Sequence, residues 1–316
     1  MQDRVKGRRL ATGEAAPALR LGRLKRRVSE ALLAYLFVLP AALVLFTFQY
    51  LPAIDIFRLS LTDRLLLRPV SNYIGFENYV RLFEDGRFWN SVFNTFYFVG
   101  VSVPFQIALA VALAVALSGK LKALGFFRTT FFVPVAASLV AVAVVWEWIY
   151  HPRLGTLNSI LSALGVSGPD WLASSTWAMP AIIFLVVWSG TGYYMVIYLA
   201  GIMDISNEYY EAARIDGANR WQMFSKITWP LLTPTTYLVL ILQIINSFQV
   251  FTTVYVMTGG GPARSTEVVV FYLYQRAFES LEFGYASAIA VVLFLSLMVM
   301  TIVLRFLYGR RVVYER

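Results

Sequence analysis

Ser91–Ser118 reads SVFNTFYFVGVSVPFQIALAVALAVALS, 28 residues without an Asp, Glu, Lys, Arg or His. Wound as an α-helix at about 1.5 Å per residue it is about 42 Å long, more than the ~30 Å hydrocarbon layer of a bilayer. Five further runs share this character: Ala31–Leu51, Thr129–Tyr150, Trp177–Met203, Thr235–Met257 and Tyr285–Tyr308. Each is long enough to cross. Within hydrocarbon a backbone must satisfy its own polar groups, which leaves helices and closed barrels. Barrel strands are short and alternate in polarity, and these runs do neither, so the expected fold is an all-α membrane protein with six transmembrane helices.

Composition agrees. The chain has 316 residues, 59% of them hydrophobic and 14% charged, against roughly 25% charged in an average soluble domain. A soluble chain of about 300 residues buries only ~75% of its surface, too little to hide this much apolar area. Cysteine is absent and histidine occurs once, at His151. Disulfides, thiolate nucleophiles and Cys/His zinc clusters are therefore excluded; no metal site is expected, and His151 reads as an ordinary loop residue.

The formal charge of +9 reads as topology rather than as affinity for nucleic acid. Nineteen of the 27 Lys and Arg residues lie in the two termini and the second and fourth inter-span segments, and eight in the alternate segments. The positive-inside rule then places both termini in the cytoplasm. Segment 204–234 supports this weakly, with four acids against three bases. The expected organisation is a basic cytoplasmic tail over 1–30, a first span and extracytoplasmic segment over 31–90, a five-helix core over 91–308 with a cytoplasmic loop at 204–234, and a short cytoplasmic tail over 309–316. The first apolar run is too long for a signal peptide and is read as a retained anchor.

The spans hold almost nothing ionisable. Glu147 sits between Trp146 and Trp148 near a span end and reads as an interfacial carboxylate; Arg305 is one turn from a cytoplasmic end and can snorkel. A proton-driven carrier would need titratable groups near the midplane, and an intramembrane enzyme would need a reactive constellation; the sequence offers neither. The only Gly-Lys pair, Gly119-Lys120, is followed by Leu121, so no phosphate-binding loop is present. If the chain moves a solute, the energy comes from another subunit. Alternating Ala108, Ala110, Ala112, Ala114 and Ala116 suggest close helix packing through small-x-x-x-small pairs such as Ala108 with Ala112. Pro40, Pro104, Pro134 and Pro180 permit bends.

Loop 204–234 is the least membrane-like stretch between spans. It contains Tyr209-Tyr210-Glu211-Ala212-Ala213-Arg214-Ile215-Asp216-Gly217-Ala218-Asn219-Arg220-Trp221. Helix formers surround Glu211, Gly217 can end that helix, and Asp216 can cap a second. Two short helices at an angle are expected, with Ala212, Ala213 and Ala218 forming a low surface and Trp221, Met223 and Phe224 facing back to the spans. In spans four and five, Trp188, Gly190, Tyr193, Asn246 and Ser247 are candidates for a solute pathway, with Ser189, Thr191, Tyr194, Gln243 and Gln249 beside them. Neutral amides and hydroxyls with aromatic faces suit a sugar, and the same residue types also serve as interhelical glue.

Glu211-Ala212-Ala213, with Gly217, Ile227 and Pro230 following, resembles the coupling loop of the permease subunits of binding-protein-dependent ABC importers. The resemblance covers most of the chain. It includes Gly75-Phe76-Glu77-Asn78-Tyr79, Gly155-Thr156-Leu157-Asn158, Ile215-Asp216-Gly217-Ala218, Thr258-Gly259-Gly260-Gly261-Pro262 and Gly284-Tyr285-Ala286, and is similar to the first permease of the carbohydrate-type branch. Trp229 stands where that pattern has Leu. The resemblance implies a type I importer permease in a bacterial cytoplasmic (inner) membrane, not itself an enzyme. It implies a second six-helix permease, two copies of a cytoplasmic ABC ATPase that carries the ATP and Mg, and an extracytoplasmic solute-binding protein as partners. It further implies that Glu211, Ala212, Ala213, Asp216 and Gly217 couple to the ATPase. The implied solute is a sugar or oligosaccharide, with glycerol 3-phosphate or a polyol as the alternative; a self-sufficient secondary transporter is the competing class.

Overall fold

A computed structural model describes residues 32–65, 67–68, 70–119 and 124–308. The expected tails over 1–30 and 309–316, and Lys120 with Leu121, lie outside the described residues. Among the described residues the chain is helical, with one isolated antiparallel bridge between Thr62 and Tyr73. Five helices are long and apolar enough to cross a membrane, and a sixth span is formed if one bent pair is counted together.

The chain divides into two units after Asp55. In the first, the described residues belong to α1 (Leu32–Leu59), whose turn at Phe46–Tyr50 is π-helical. Its last residues, from Ile56, belong to the second unit. There α2 (Glu77–Glu84) precedes α3 (Gly86–Leu117), α4 (Leu124–Ala136), α5 (Leu139–Ile149), α6 (Thr156–Ala163) and α7 (Ala178–Met203). Then come α8 (Asn207–Ile215), α9 (Arg220–Met223), α10 (Thr233–Phe248), α11 (Thr252–Met257), α12 (Val269–Tyr274) and α13 (Phe283–Tyr308).

Helices α3 and α7 lie along each other at the centre, with α10 against α3 and α4 against α7. The buried positions of α3 are Phe88, Ser91, Asn94, Thr95, Phe98, Val99, Ser102, Val103, Gln106, Ala110, Val111, Ala114 and Leu117. Steps of three and four put them on one stripe. Phe98, Val99 and Val103 meet Ile182 and Leu185 of α7, Ile244 and Phe248 of α10, and Val254 of α11 in one apolar cluster. A second cluster joins Ala110 and Ala114 to Tyr194, Met195 and Tyr198. The small-residue contact is thus Ala110 with Ala114, both fully buried, while Ala108 and Ala112 are exposed. The stripe's phase, set by Phe98 and Gln106 and continued in steps of four, selects 110 and 114 over 108 and 112.

Two spans that read as continuous are interrupted. Span three breaks between α4 and α5, which meet at 97°; Ser138 takes extended backbone, with φ −60° and ψ 124°. Pro134 lies four residues upstream, where its missing N–H weakens the last turn of α4. Span five breaks at Gln249–Phe251, where Phe251 has φ −142° and ψ −58°.

At the end of the bundle where α3 begins, charged side chains form a collar. Asp85 caps α3 by accepting from the Arg87 amide at 2.9 Å. Arg87 donates through Nε to both oxygens of Glu267 at 3.0 Å, and Glu267 is 1% exposed. Arg81 pairs with Glu282 at 3.0 Å, and Arg276 joins Glu282 and Asp85 at 3.4 and 3.8 Å. Asn94 donates to the carbonyls of Arg264 and Glu267, tying the loop before α12 to α3.

Candidate functional site

The two interruptions face one another across a cavity of about 340 Å³. Pro134, Val135, Ala137 and Leu139 line it from the first break, and Gln249, Val250, Phe251, Thr252 and Thr253 from the second. Phe98 and Gln106 of α3, Val186, Ser189, Gly190 and Tyr194 of α7, and Asn246 and Ser247 of α10 complete the wall. Unwound backbone inside a membrane is tolerated where it lines a cavity, and in transporters discontinuous helices build binding sites. No lining residue is Asp, Glu, Lys, Arg or His.

The hydrogen bonds of the wall are neutral. Gln243 donates to the Gln106 Oε1 at 2.7 Å, and the Gln106 amide reaches the Val186 carbonyl at 3.4 Å. Asn246 donates to the Tyr194 hydroxyl at 3.3 Å. Thr253 Oγ1 and Gln243 Oε1 are buried without a protein partner, although buried polar groups are normally paired. A Cβ at Gly190 would stand 2.4 Å from the Gln106 Nε2, so glycine there lets the pinned amide cross α7.

Of the candidate pathway residues, Gly190, Asn246 and Ser247 line the cavity and Trp188 and Tyr193 do not. A step of about 100° per residue separates them: Val186, Ser189, Gly190 and Tyr194 share a face. Trp188 and Tyr193 are each 43% exposed on other faces. Trp188 instead meets the Trp146 ring at 5.3 Å. Gln106, Phe98 and Thr253 are lining residues that the sequence reading missed; Gln106, the sole amide of an otherwise apolar half-span, was the available signal. Glu147 is exposed on α5. His151 accepts through Nδ1 from the Arg153 and Leu154 amides at 3.3 and 3.1 Å, closing its own loop.

The second candidate region follows α7. Ser206 caps α8 through the Glu208 amide, Gly217 takes φ +78°, and α9 starts after Asn219. The expected cap was Asp216; it instead ends α8, and Asn219 caps α9 in a box with Gln222, with bonds of 2.9 and 2.8 Å. Glu211, Ala212, Asp216 and Gly217 are exposed and Ala213 is half-buried. Tyr210 holds the loop to α9's continuation through Thr228, hydroxyl to hydroxyl at 3.0 Å. Met223 and Phe224 are half-buried, but Trp221 does not face the spans: it is 73% exposed, and Ile215 is 87% exposed. The loop therefore presents large apolar side chains outward.

A membrane bundle that is helical over its described residues, with broken spans around an uncharged cavity and an exposed loop carrying outward apolar side chains, is the architecture of a transporter membrane subunit. The match is more specific. Residues 79–312 fit the family described as "Binding-protein-dependent transport system inner membrane component". The chain belongs to that family, the ABC transporter permeases, and is an integral multi-pass membrane protein. It is 37% identical to the "Probable ABC transporter permease protein YurN" of Bacillus subtilis over 83% of this chain and 90% of that one. It is 36% identical to the "Trehalose/maltose transport system permease protein MalF" of Thermococcus litoralis, over 88% and 94%. Among solved structures it is similar to a chain of a bacterial alginate ABC transporter in complex with an alginate pentasaccharide-bound periplasmic protein, at TM-score 0.82 and 25% identity, over 93% of this chain and all of that one.

Proposed function

We propose that this chain forms half of the translocation pathway of an ATP-driven importer for a neutral sugar or short oligosaccharide delivered by an extracytoplasmic binding protein. The observation that carries the reading is the uncharged cavity between two interrupted spans. Its amides, hydroxyls and the Phe98, Tyr194 and Phe251 rings can exchange hydrogen bonds with sugar hydroxyls and cover the apolar ring face. An anionic solute such as glycerol 3-phosphate would meet no cation there. The trehalose/maltose system of the Thermococcus litoralis relative and the alginate pentasaccharide of the structural neighbour's binding protein support a carbohydrate. The protein sits in a bacterial cytoplasmic membrane with both termini inside, beside a second permease and two ATPase copies that hold ATP and Mg.

The loop around α8 couples to the ATPase. Glu211, Ala212, Ala213, Asp216 and Gly217, with the exposed Ile215 and Trp221, seat in a groove of that subunit. An exposed ion pair of Glu211 contributes at most about 1 kcal/mol, so the apolar contacts and the bend dominate. Coupling requires that the loop bind the two ATPase states differently. Two substitutions test this in proteoliposomes holding both permeases, the ATPase and loaded binding protein. Gly217→Pro and Ala213→Asp should leave the assembly inserted and remove, by at least about tenfold, the binding-protein stimulation of ATP hydrolysis. Undiminished stimulation in both refutes the assignment. Maltose uptake in the same vesicles tests the solute class.

A further inference from the structure

A second cavity, of about 640 Å³, opens between the end of α5, the short α6 and the start of α7. Its wall includes Trp146, Tyr150, Trp171, Trp177, Phe184 and Ile160. The rings run in an unbroken series, with centroids 5.3 Å apart for Trp146 and Tyr150, 5.8 Å for Tyr150 and Trp171, and 5.4 Å for Trp171 and Trp177. The polar tips of two of these rings are spent inside the protein. The Tyr150 hydroxyl donates to the Ala181 carbonyl at 3.0 Å, and Trp171 Nε1 donates to Asn158 Oδ1 at 2.7 Å. Asn158 is itself fixed by the Pro152 and Pro169 carbonyls at 3.0 and 3.2 Å.

A sugar in this groove would lose hydrogen bonds to water and find little to replace them. The location points elsewhere. The groove lies where one span ends and the next begins, at the water–bilayer boundary where Trp and Tyr concentrate. It continues onto outward apolar surface: Trp148 is 79% exposed, Phe184 58% and Ile160 53%. The chain segments that border it carry both signs of charge. Glu147 precedes Tyr150 by one turn, Arg153 lies in the turn between Tyr150 and α6, and Asp170 adjoins Trp171; all three are exposed.

We infer that the groove holds an acyl chain of one zwitterionic phospholipid. An acyl chain that moves into the groove from among neighbouring lipid tails gains little from apolar contact, so selectivity comes from the rim. The phosphate sits towards Arg153 and the ammonium towards Glu147 or Asp170. Because Trp146 and Phe184 lie on the helices that line the polar cavity, a seated chain braces the outer half of the bundle. This inference rests on the membrane-permease assignment and is independent of which solute is carried.

The test uses the detergent-purified importer complex and native mass spectrometry with added phosphatidylethanolamine or phosphatidylglycerol. One phosphatidylethanolamine per copy of this chain should be retained, at least about fivefold in excess of phosphatidylglycerol. Glu147→Gln combined with Asp170→Asn should erase that preference, and Ile160→Asp, at an exposed position, should release the lipid while the complex stays assembled. Leu157→Phe, which fills the groove without a charge, should release it too. The chain lacks cysteine, so Ile160→Cys can report what covers the site. Unchanged retention in Ile160→Asp and Leu157→Phe overturns the inference. So does a cross-link from Ile160→Cys to another subunit, or protection of that cysteine from a maleimide by maltose rather than by lipid.

Discussion

The collar and the central cavity are both polar regions of one helical bundle, built from opposite chemistry. The collar gathers Arg81, Asp85, Arg87, Glu267, Arg276 and Glu282, paired with one another or with tyrosine hydroxyls. The cavity wall has no such residue and leaves Thr253 Oγ1 without a protein partner. Paired charges in a shielded place fix one geometry, since separating them is costly. Neutral donors and acceptors exchange partners at about 1 kcal/mol each, so a solute can bind and leave. The difference separates a clamp from a passage.

The sharpest way to break that comparison is at the clamp's most buried member. Glu267→Ala would leave the Arg87 guanidinium facing the space of a lost carboxylate, and removing one partner of a buried pair costs about 3–5 kcal/mol. Arg87 retains 26% side-chain exposure, so about 3 kcal/mol is expected, measured as loss of thermal stability in detergent. The double variant Glu267→Met with Arg87→Met should recover most of it. A Glu267→Ala protein as stable as wild type would mean that the pair is not a clamp.

At the cavity the order of effects reverses. Asn246 is exposed to the cavity and makes one long bond, to the Tyr194 hydroxyl, so Asn246→Leu should change stability by less than about 1 kcal/mol. Solute translocation at saturating binding protein should nevertheless fall about tenfold, the equivalent of ~1.4 kcal/mol. Equal losses in stability and transport would make Asn246 packing glue.

The spans were legible because a membrane demands long apolar runs and little else produces them. The breaks were not. Pro134 marks a bend, but Pro104 lies inside α3 without interrupting it, and nothing in Gln249-Val250-Phe251 forbids a helix. Those interruptions are set by what the facing helices leave unfilled. Residue type alone points to Trp188 and Tyr193, whereas helical phase puts Ser189, Gly190 and Tyr194 on the face that lines the cavity. In the loop, Asp216 and Asn219 are both good caps; Gln222, three residues after Asn219, was the signal that decides between them.

A smaller effect separates the regions by pH. Partial burial raises the Asp85 carboxyl, but hydrogen bonds from Tyr272, Tyr285 and the Arg87 and Phe88 amides outweigh it and hold the group below the usual carboxylate range. A depressed folded-state pKa contributes stability that is complete above the unfolded value of about 3.9 and is lost as pH falls through the folded value. The collar should therefore loosen only as pH falls below about 4. Asp85→Asn, which keeps a capping oxygen, should flatten this acid dependence in thermal melts between pH 3 and 6. The cavity wall, with no group titrating there, should contribute nothing.

The smallest expected effect is at Tyr193. Its ring packs edge-on against Tyr194 at 5.2 Å and is 43% exposed, facing away from the cavity that Tyr194 lines. Tyr193→Phe keeps the ring contact and removes only a hydroxyl outside the cavity wall, so transport should stay within about twofold of wild type. Tyr194→Phe deletes the acceptor that Asn246 uses, and should cost several-fold in translocation. The two substitutions are chemically identical and one residue apart, and differ only in which face of α7 they occupy. Equal behaviour would mean that the pathway does not follow the face shared by Val186, Ser189, Gly190 and Tyr194, and the passage would have to be sought on another side of the bundle.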